Sequence, residues 1–437
     1  MLREYDGKTF GETFTRRGFD DFPEAMATVR TILADVQKRG DAAVLAYTAR
    51  FDGVELDTLL VSEEEFAAAE AAVDPQVRES LVQAAENIRA FHRRQVQNSW
   101  LEHQADGVAL GQRVTAVERA GAYVPGGGAA YPSSVLMTVI PARVAGVTEV
   151  VLVTPPQAGG QLNPYTLVAA KIAGADAVYK CGGAQAVGAL AYGTETVSKV
   201  DKIVGPGNLY VTLAKREVSG MVGIDMLAGP SEVLVLADDT ARADFVAADL
   251  LSQAEHDALA ASYCVTTSRR LAEDVQKELA RQCAELERCD VAEMSLREQG
   301  AMVLVESLEE GLALVNQLAP EHLELQLADP WQALGKVRNA GAVFMGAYTP
   351  EPVGDYWAGP SHVLPTAGAG RFSSVLTVDD FVKKTSVIYY PPQALLQAAK
   401  KIEALARVEG LSAHGQAVKI RREYLEQERS GAESQDR

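Results

Sequence analysis

From about residue 108 to residue 346 the chain alternates short apolar runs, Gly/Pro turns and helical stretches, and this alternation limits the fold more than any other feature. Residues 149–156, EVVLVTPP, read as a buried strand ending in a turn. Asn163-Pro164 opens a helix through about Ala173, because Asn caps a helix and Pro is tolerated in its first turn. AVYK (177–180) is the next strand, and DKIVGPGN (201–208) repeats the strand-then-turn pattern before a helix to about Val218. The cycle resumes with strands at 232–238, 262–268, 301–306, 323–327 and 342–346, and helices at 240–253 and 269–289. Strands joined through helices run parallel, since each crossover returns the chain to the same end of the sheet.

The flanks have a different texture. The first hundred residues read as helices: 21–39 ending at Gly40, a capping box at Ser62 and Glu65, and a stretch from Asp74-Pro75 to about Gln97. His92 and His103 sit among polar residues there and read as solvated surface histidines. Residues 392–428 are mainly helical, with a break at Gly410. The chain is therefore α/β: two Rossmann-like α/β domains, one inserted in the other, with a small, mostly helical C-terminal region. The standard G-x-G-x-x-G is absent, since GPGNLY (205–210) has two glycines and then Tyr210 where the third would stand.

Charge narrows the partners. The 59 acidic residues outnumber the 41 basic ones, a formal net charge of -18 over 437 residues. That balance argues against a nucleic-acid coat or a polybasic membrane binder. No apolar run reaches 18 residues, so no membrane-spanning helix is expected, and MLREYDGKTF at the start lacks a signal pattern. Cys181, Cys264, Cys283 and Cys289 include no C-x-x-C pair and read as reduced thiols of a cytoplasmic protein.

Four segments carry candidate chemistry. In SQAEHD (252–257), Gln253 and His256 are three apart and share a helix face, offering a metal an amide oxygen and an imidazole nitrogen. A polar helix end is the plain alternative. In APEHLEL (319–325), Glu321 stands beside His322, a carboxylate and an imidazole suited to acid–base work. The alternative is an exposed pair at a strand start, where successive side chains take opposite faces unless a turn redirects them. In the Gly/Pro-rich stretch EPVGDYWAGPSHVLPTAG (351–368), Asp355 either ligates a metal or makes an ordinary turn. In EGLSAHGQAV (409–418), Glu409 suits a substrate ammonium and His414 a metal, against a helix C-cap followed by a plain helix. YVPGGGAAYPSS (123–134) and GPGN can both bring backbone N–H groups to phosphates at a helix start.

Together these segments resemble one family. Residues 201–238, DKIVGPGNLYVTLAKREVSGMVGIDMLAGPSEVLVLAD, strongly resemble the signature region of the histidinol dehydrogenases. YVPGG, CGGAQA, LLSQAEHD, APEHLEL, VGDYWAG and EGLSAH look like family segments in family order, over about 120–415. The resemblance implies oxidation of L-histidinol to L-histidine through the aldehyde, with reduction of two NAD, as the last step of histidine biosynthesis. It implies one Zn2+ per subunit on Gln253, His256, Asp355 and His414, and a catalytic pair in Glu321 and His322. NAD contacts would come from Tyr123, Gln185 and Asn208, and substrate contacts from Ser231, Gln253, His256, His322, Asp355, Glu409 and His414. It also implies a homodimer, with His414 and Glu409 supplied across the interface, and no nucleic-acid or membrane partner.

The expected boundaries are an N-terminal arm over 1–17 that packs with the C-terminal region, a first α/β domain over 18–122 plus 231–373 carrying the zinc and catalytic residues, an inserted nucleotide-binding domain over 123–230, and a small helical dimerisation domain over 374–437. Four positions depart from the family pattern: Cys181 where an apolar residue is expected, Trp357 beside Asp355 where a small one is expected, and Gly415-Gln416 after His414. Cys181 reads as a small buried thiol. Related enzymes that oxidise other small alcohols, such as sulfopropanediol, can share the zinc set, but Glu409 favours a cationic amine. A zinc hydrolase and a catalytically silent sensor are the readings from other classes, and NAD reduction separates them from a dehydrogenase.

Overall fold

The computed structural model describes residues 1–14, 22–126 and 130–435. Its strands are β1 (Arg3–Asp6), β2 (Trp100–His103), β3 (Ala109–Ala116), β4 (Arg119–Tyr123), β5 (Glu149–Thr154), β6 (Ala177–Lys180), β7 (Lys202–Val204), β8 (Gly223–Ile224), β9 (Glu232–Ala237), β10 (Ala261–Thr266), β11 (Ala301–Leu304), β12 (His322–Gln326), β13 (Ala342–Met345) and β14 (Val382–Tyr389). One unit comprises Met1–Val96 with Ala116–Phe381, and a second comprises Gln97–Thr115 with Val382–Arg437.

The first unit contains two parallel sheets. One has the order β6-β5-β4-β7-β8. From β4 the chain builds β5 and β6 to one side and then returns to build β7 and β8 on the other, so the order reverses at β4 and β7. In β5, Val150 and Leu152 enter one apolar cluster while Val151 and Val153 enter another, one cluster on each face. This is why the run is apolar throughout rather than alternating. The helices Pro132–Ala145, Pro164–Ala173 and Pro75–Arg93 supply the first cluster; Pro23–Arg39, Gly183–Tyr192 and Leu209–Val218 supply the second. The N-terminal helices expected in the domain of 18–122 plus 231–373 therefore cover the five-stranded sheet. Their chain even extends it, with Val61 N–H donating to the Val178 carbonyl at 2.9 Å and Lys180 N–H to that of Leu59 at 2.7 Å.

The second parallel sheet has the order β1-β11-β10-β9-β12-β13. Residues 1–17, read from sequence as an arm on the C-terminal region, instead contribute the edge strand β1, and the backbone of Leu2 just before it is clamped by the Gln276 side chain; residues 15–17 lie outside the described residues. Phe10 is buried in this sheet's core. The single helix expected at 269–289 is two, Arg269–Cys283 and Cys289–Glu298. Residues 284–288 contain no Gly or Pro, so packing imposes the break: the second piece turns so that Ser295 Oγ donates to the Ala260 carbonyl at 2.8 Å.

The second unit is not only helical. β14, β3 and β2 form a sheet beside the helical hairpin Pro392–Val408 and Ser412–Gln435. Hence 97–115 belongs with the C-terminal segment and not with a domain over 18–122. No helix among the described residues is long and apolar enough to cross a membrane. His103 is exposed as expected, but His92 is buried. Leu81, Ala84, Ala85, Ile88 and His92 form the inward face of one helix, and His92 Nδ1 lies 2.8 Å from Gln95 Oε1.

Candidate active site

β12 enters the six-stranded sheet between β9 and β13, with its first residue, His322, opposite Val233. Ala319 takes a left-handed conformation (φ 48°) just before Pro320 and turns the chain into this strand. Glu321 precedes the strand, so the strand's alternation does not separate it from His322. Both side chains are buried, and Glu321 Oε2 accepts from the Glu232 N–H at 2.9 Å.

The partners of His322 settle its tautomer. Nδ1 lies 3.1 Å from the Glu232 carbonyl oxygen and 3.1 Å from Gln253 Oε1. Both are acceptors, so Nδ1 carries the proton and Nε2 keeps the lone pair. The same nitrogen is 3.8 Å from Glu321 Oε2 and 3.7 Å from Glu351 Oε1. Burial lowers the His322 pKa to about 4, against the opposing pull of Asp355, so the ring is a neutral base at physiological pH.

Gln253 lies in the last turn of the helix Ala243–Ala254, fully buried, with Nε2 lacking any hydrogen-bond partner. His256 does not share that helix face as the spacing suggests. The helix ends first, and His256 sits in the following turn, exposed. A positive charge on it still disfavours protonation of His322 and His362. Asp355 lies in a π-helical turn, Gly354–Ala358, a form concentrated at functional sites. Trp357 in the same turn is half-exposed, with its carbonyl accepting from Asn87 Nδ2 at 2.9 Å. Ser231 immediately precedes β9, and its carbonyl accepts from the Ala261 N–H at 3.0 Å.

Two further residues join the group. Asp355 Oδ1 is 3.8 Å from His362 Nδ1, and His362 Nε2 is 3.1 Å from Ser134 Oγ, at the start of the helix Pro132–Ala145. That contact ties the site to the element following β4. Glu351 brings a carboxylate beside His322, and ligand atoms of His322, Glu351 and Asp355 lie within 4.8 Å of one another. Below them Glu351 N–H donates to Glu324 Oε1 at 3.1 Å, and Gln326 Nε2 donates to Asp249 Oδ2 at 2.8 Å. Burial holds the carboxyls of Glu321, Glu324, Glu351 and Asp249 above their ordinary range. His362 was visible in the sequence as a histidine in a Gly/Pro-rich loop. Glu351, beside a proline at a loop start, carried no such signal.

The nucleotide candidates gather at the carboxyl ends of β4, β6 and β7, where the strand order reverses and open α/β sheets bind ligands. Tyr123 ends β4; its ring is buried and its hydroxyl accepts from the Gly183 N–H at 3.0 Å. It therefore braces the turn that opens the helix bearing Gln185. Gln185 is buried, with Oε1 lacking a partner. Asn208 caps the helix Leu209–Val218, accepting from the Val211 N–H at 3.2 Å. Gly205, between β7 and Asn208, has φ +111°, and a Cβ there would overlap the Tyr123 carbonyl. The glycine thus lets the loop pass directly over the end of β4. Of the Gly-rich stretch 123–134, residues 127–129 lie outside the described residues. Cys181 is fully buried, as a small core thiol.

Glu409 and His414 belong to the second unit. Glu409 follows the helix Pro392–Val408, Gly410 turns the chain at φ 70°, and His414 begins the next helix; both side chains are exposed.

The family model described as histidinol dehydrogenase matches residues 15–422 of the chain. The chain belongs to the histidinol dehydrogenase family. A histidinol dehydrogenase from Geobacillus kaustophilus is 56% identical over 400 residues, covering 92% of this chain and 94% of that protein. One from Moorella thermoacetica is 56% identical over 430 residues, covering 97% and 100%. The crystal structure of histidinol dehydrogenase from Elizabethkingia anophelis superposes with a TM-score of 0.91 at 37% identity, covering 97% of this chain and 99% of that one. The chain is accordingly an NAD-dependent oxidoreductase that oxidises histidinol in the final step of histidine biosynthesis.

Proposed function

We propose that one site carries histidinol through both oxidations, alcohol to aldehyde and aldehyde to L-histidine, with two NAD consumed. The observation that supports this most is the pairing of a neutral, buried His322 with a second buried base, Glu321. The first oxidation requires a base for the hydroxyl proton. His322 Nε2 takes it, while the Nδ1 proton, held by the Glu232 carbonyl and Gln253 Oε1, fixes the ring. The second requires water added to the aldehyde. Glu321 activates that water: one carboxylate oxygen is anchored by the Glu232 amide and the other is left to take the proton. Its raised pKa makes the ionised form a stronger base. Burial of both groups keeps bulk water from the reactive aldehyde.

The donor set fits a zinc ion. Glu351 buries a carboxylate oxygen without a partner, and it lies with nitrogen or oxygen ligand atoms of His322 and Asp355 within 4.8 Å of one another. Gln253, His256 and Asp355, with His414, would hold the metal. When bound, Zn2+ supplies a template for the imidazole and amine of the substrate, and NAD accepts the hydride. Ser231, His322 and Asp355 orient the substrate, and Glu409 receives its ammonium. Tyr123, Gln185 and Asn208 shape the NAD site.

His414 and Glu409 act from the partner subunit of a homodimer. In support, the break that carries them exposes Leu405, Val408 and Leu411, and β14 exposes Ile388 and Tyr389. Exposed apolar side chains in this density suit a face covered by another chain. Four cysteines in 437 residues are too few for a disulfide scaffold, which fits a cytoplasmic enzyme. Glu321→Gln tests the division of labour. It should slow oxidation of supplied aldehyde at least tenfold more than oxidation of histidinol to aldehyde, and equal slowing of both steps would remove the water-activating role.

A further inference from the structure

We propose that Cys283 and Cys289 form a reversible disulfide site. Cys283 ends the helix Arg269–Cys283 and Cys289 opens Cys289–Glu298. Their sulfur atoms are 3.0 Å apart, and the Cys283 thiol also points at the Cys289 carbonyl at 3.7 Å. Glu293 lies close enough to complete a three-ligand metal cluster. The sulfur spacing argues against that use, because two thiolates on one tetrahedral zinc, each about 2.3 Å from the metal, stand about 3.8 Å apart. A disulfide needs about 2.05 Å, so the sulfurs have only about 1 Å to close. The local environment points the same way. Cys283 is buried, and burial with the adjacent thiol pushes its pKa up to about 12. A neutral disulfide suits such a place better than a thiolate.

Cys289 is only half-buried and is the sulfur that an external reagent reaches first. As thiolate it attacks a low-molecular-weight disulfide, forming a mixed disulfide and releasing one thiol. The Cys283 sulfur then displaces the second thiol from Cys289, and its own proton leaves with that thiol. Two protein thiols are oxidised and one external disulfide is reduced to two thiols. Gln282 Nε2 donates to the Asp244 carbonyl at 2.9 Å, in the first turn of the helix bearing Gln253, and Ser295 Oγ donates to the Ala260 carbonyl at 2.8 Å, just before β10, so the bridge would join the helices that hold these two segments.

The test uses the full chain exposed to excess glutathione disulfide, then alkylated and digested with trypsin. The expected product joins peptides 282–288 and 289–297, with a mass two hydrogens below their sum, while Cys181 and Cys264 are alkylated. Cys289→Ser should block the product, and Cys283→Ser should leave a single glutathione adduct on Cys289. Full alkylation of both cysteines in the wild-type chain would overturn the proposal. So would a stable glutathione adduct on wild-type Cys289 beside a free Cys283. Both variants should keep wild-type NADH production, which controls for folding.

Discussion

Asp225→Asn should destabilise the first unit by several kcal/mol and weaken NAD binding, although Asp225 is not among the NAD-contact candidates. Lys215 and Asp225 form an ion pair whose side chains are 3% and 0% exposed. Asp225 also accepts from the N–H groups of Gly205 at 2.7 Å and Met226 at 2.6 Å, and Lys215 Nζ donates to the Gly205 carbonyl at 3.0 Å. The pair thus grips both backbone groups of Gly205, the residue that carries the chain from β7 to Asn208. Asparagine preserves the shape and one acceptor oxygen but leaves the Lys215 ammonium buried without its counter-charge. Removing one partner of a buried pair costs about 3–5 kcal/mol. Lys215→Met with Asp225→Asn leaves no buried charge, so the double variant should recover about 2 kcal/mol or more relative to the sum of the singles. Urea unfolding of the four proteins measures the cycle, and KM for NAD reports the loop: it should rise in Asp225→Asn. An Asp225→Asn loss below about 1 kcal/mol, or additive single and double effects, would show that the pair does not hold the Gly205 loop as a buried, coupled unit.

The His322 pKa is lowered to about 4, whereas the unfolded value is 6.5, so between these the unfolded chain binds a proton that the native one does not. Stability is therefore full above 6.5 and falls as the pH drops to about 4, by about 3 kcal/mol. In chelator-treated protein His322→Asn should flatten that slope, and an unchanged slope would contradict the assignment. A His414→Asn chain and an Asp355→Asn chain should each lose zinc and activity alone, yet regain about a quarter to a half of wild-type activity when mixed as heterodimers. Zinc analysis and NADH production read the outcome, and no recovery in a verified heterodimer would place His414 in its own chain's site.

The parallel strands were legible because burial on both faces leaves an unmistakable mark. β5 and β9 are apolar along almost their whole length and lie beside Gly or Pro punctuation. β2 and β14 are largely exposed, so neither a continuous run nor an alternation announced them. β1 is short and mostly polar, and its place at a sheet edge depends on a partner three hundred residues away. His92 looked solvated because its sequence neighbours are polar, whereas its spacing four residues after Ile88 marks the buried face. In the site, Glu321, His322, Gln253 and Asp355 could be named from family segments and residue chemistry. What could not be read was the company they keep. The contacts of Glu351 with His322 and of Ser134 with His362 arise only when segments distant in the chain converge.

Both oxidations are assigned here to a single site. The amount of NADH formed per L-histidinol consumed by zinc-replete protein tests it most directly. Two NADH with L-histidine as the product is expected of a single site that carries out both steps. One NADH with the aldehyde released into solution would contradict it, leaving the fold and the first oxidation in place but removing the water-addition step assigned to Glu321.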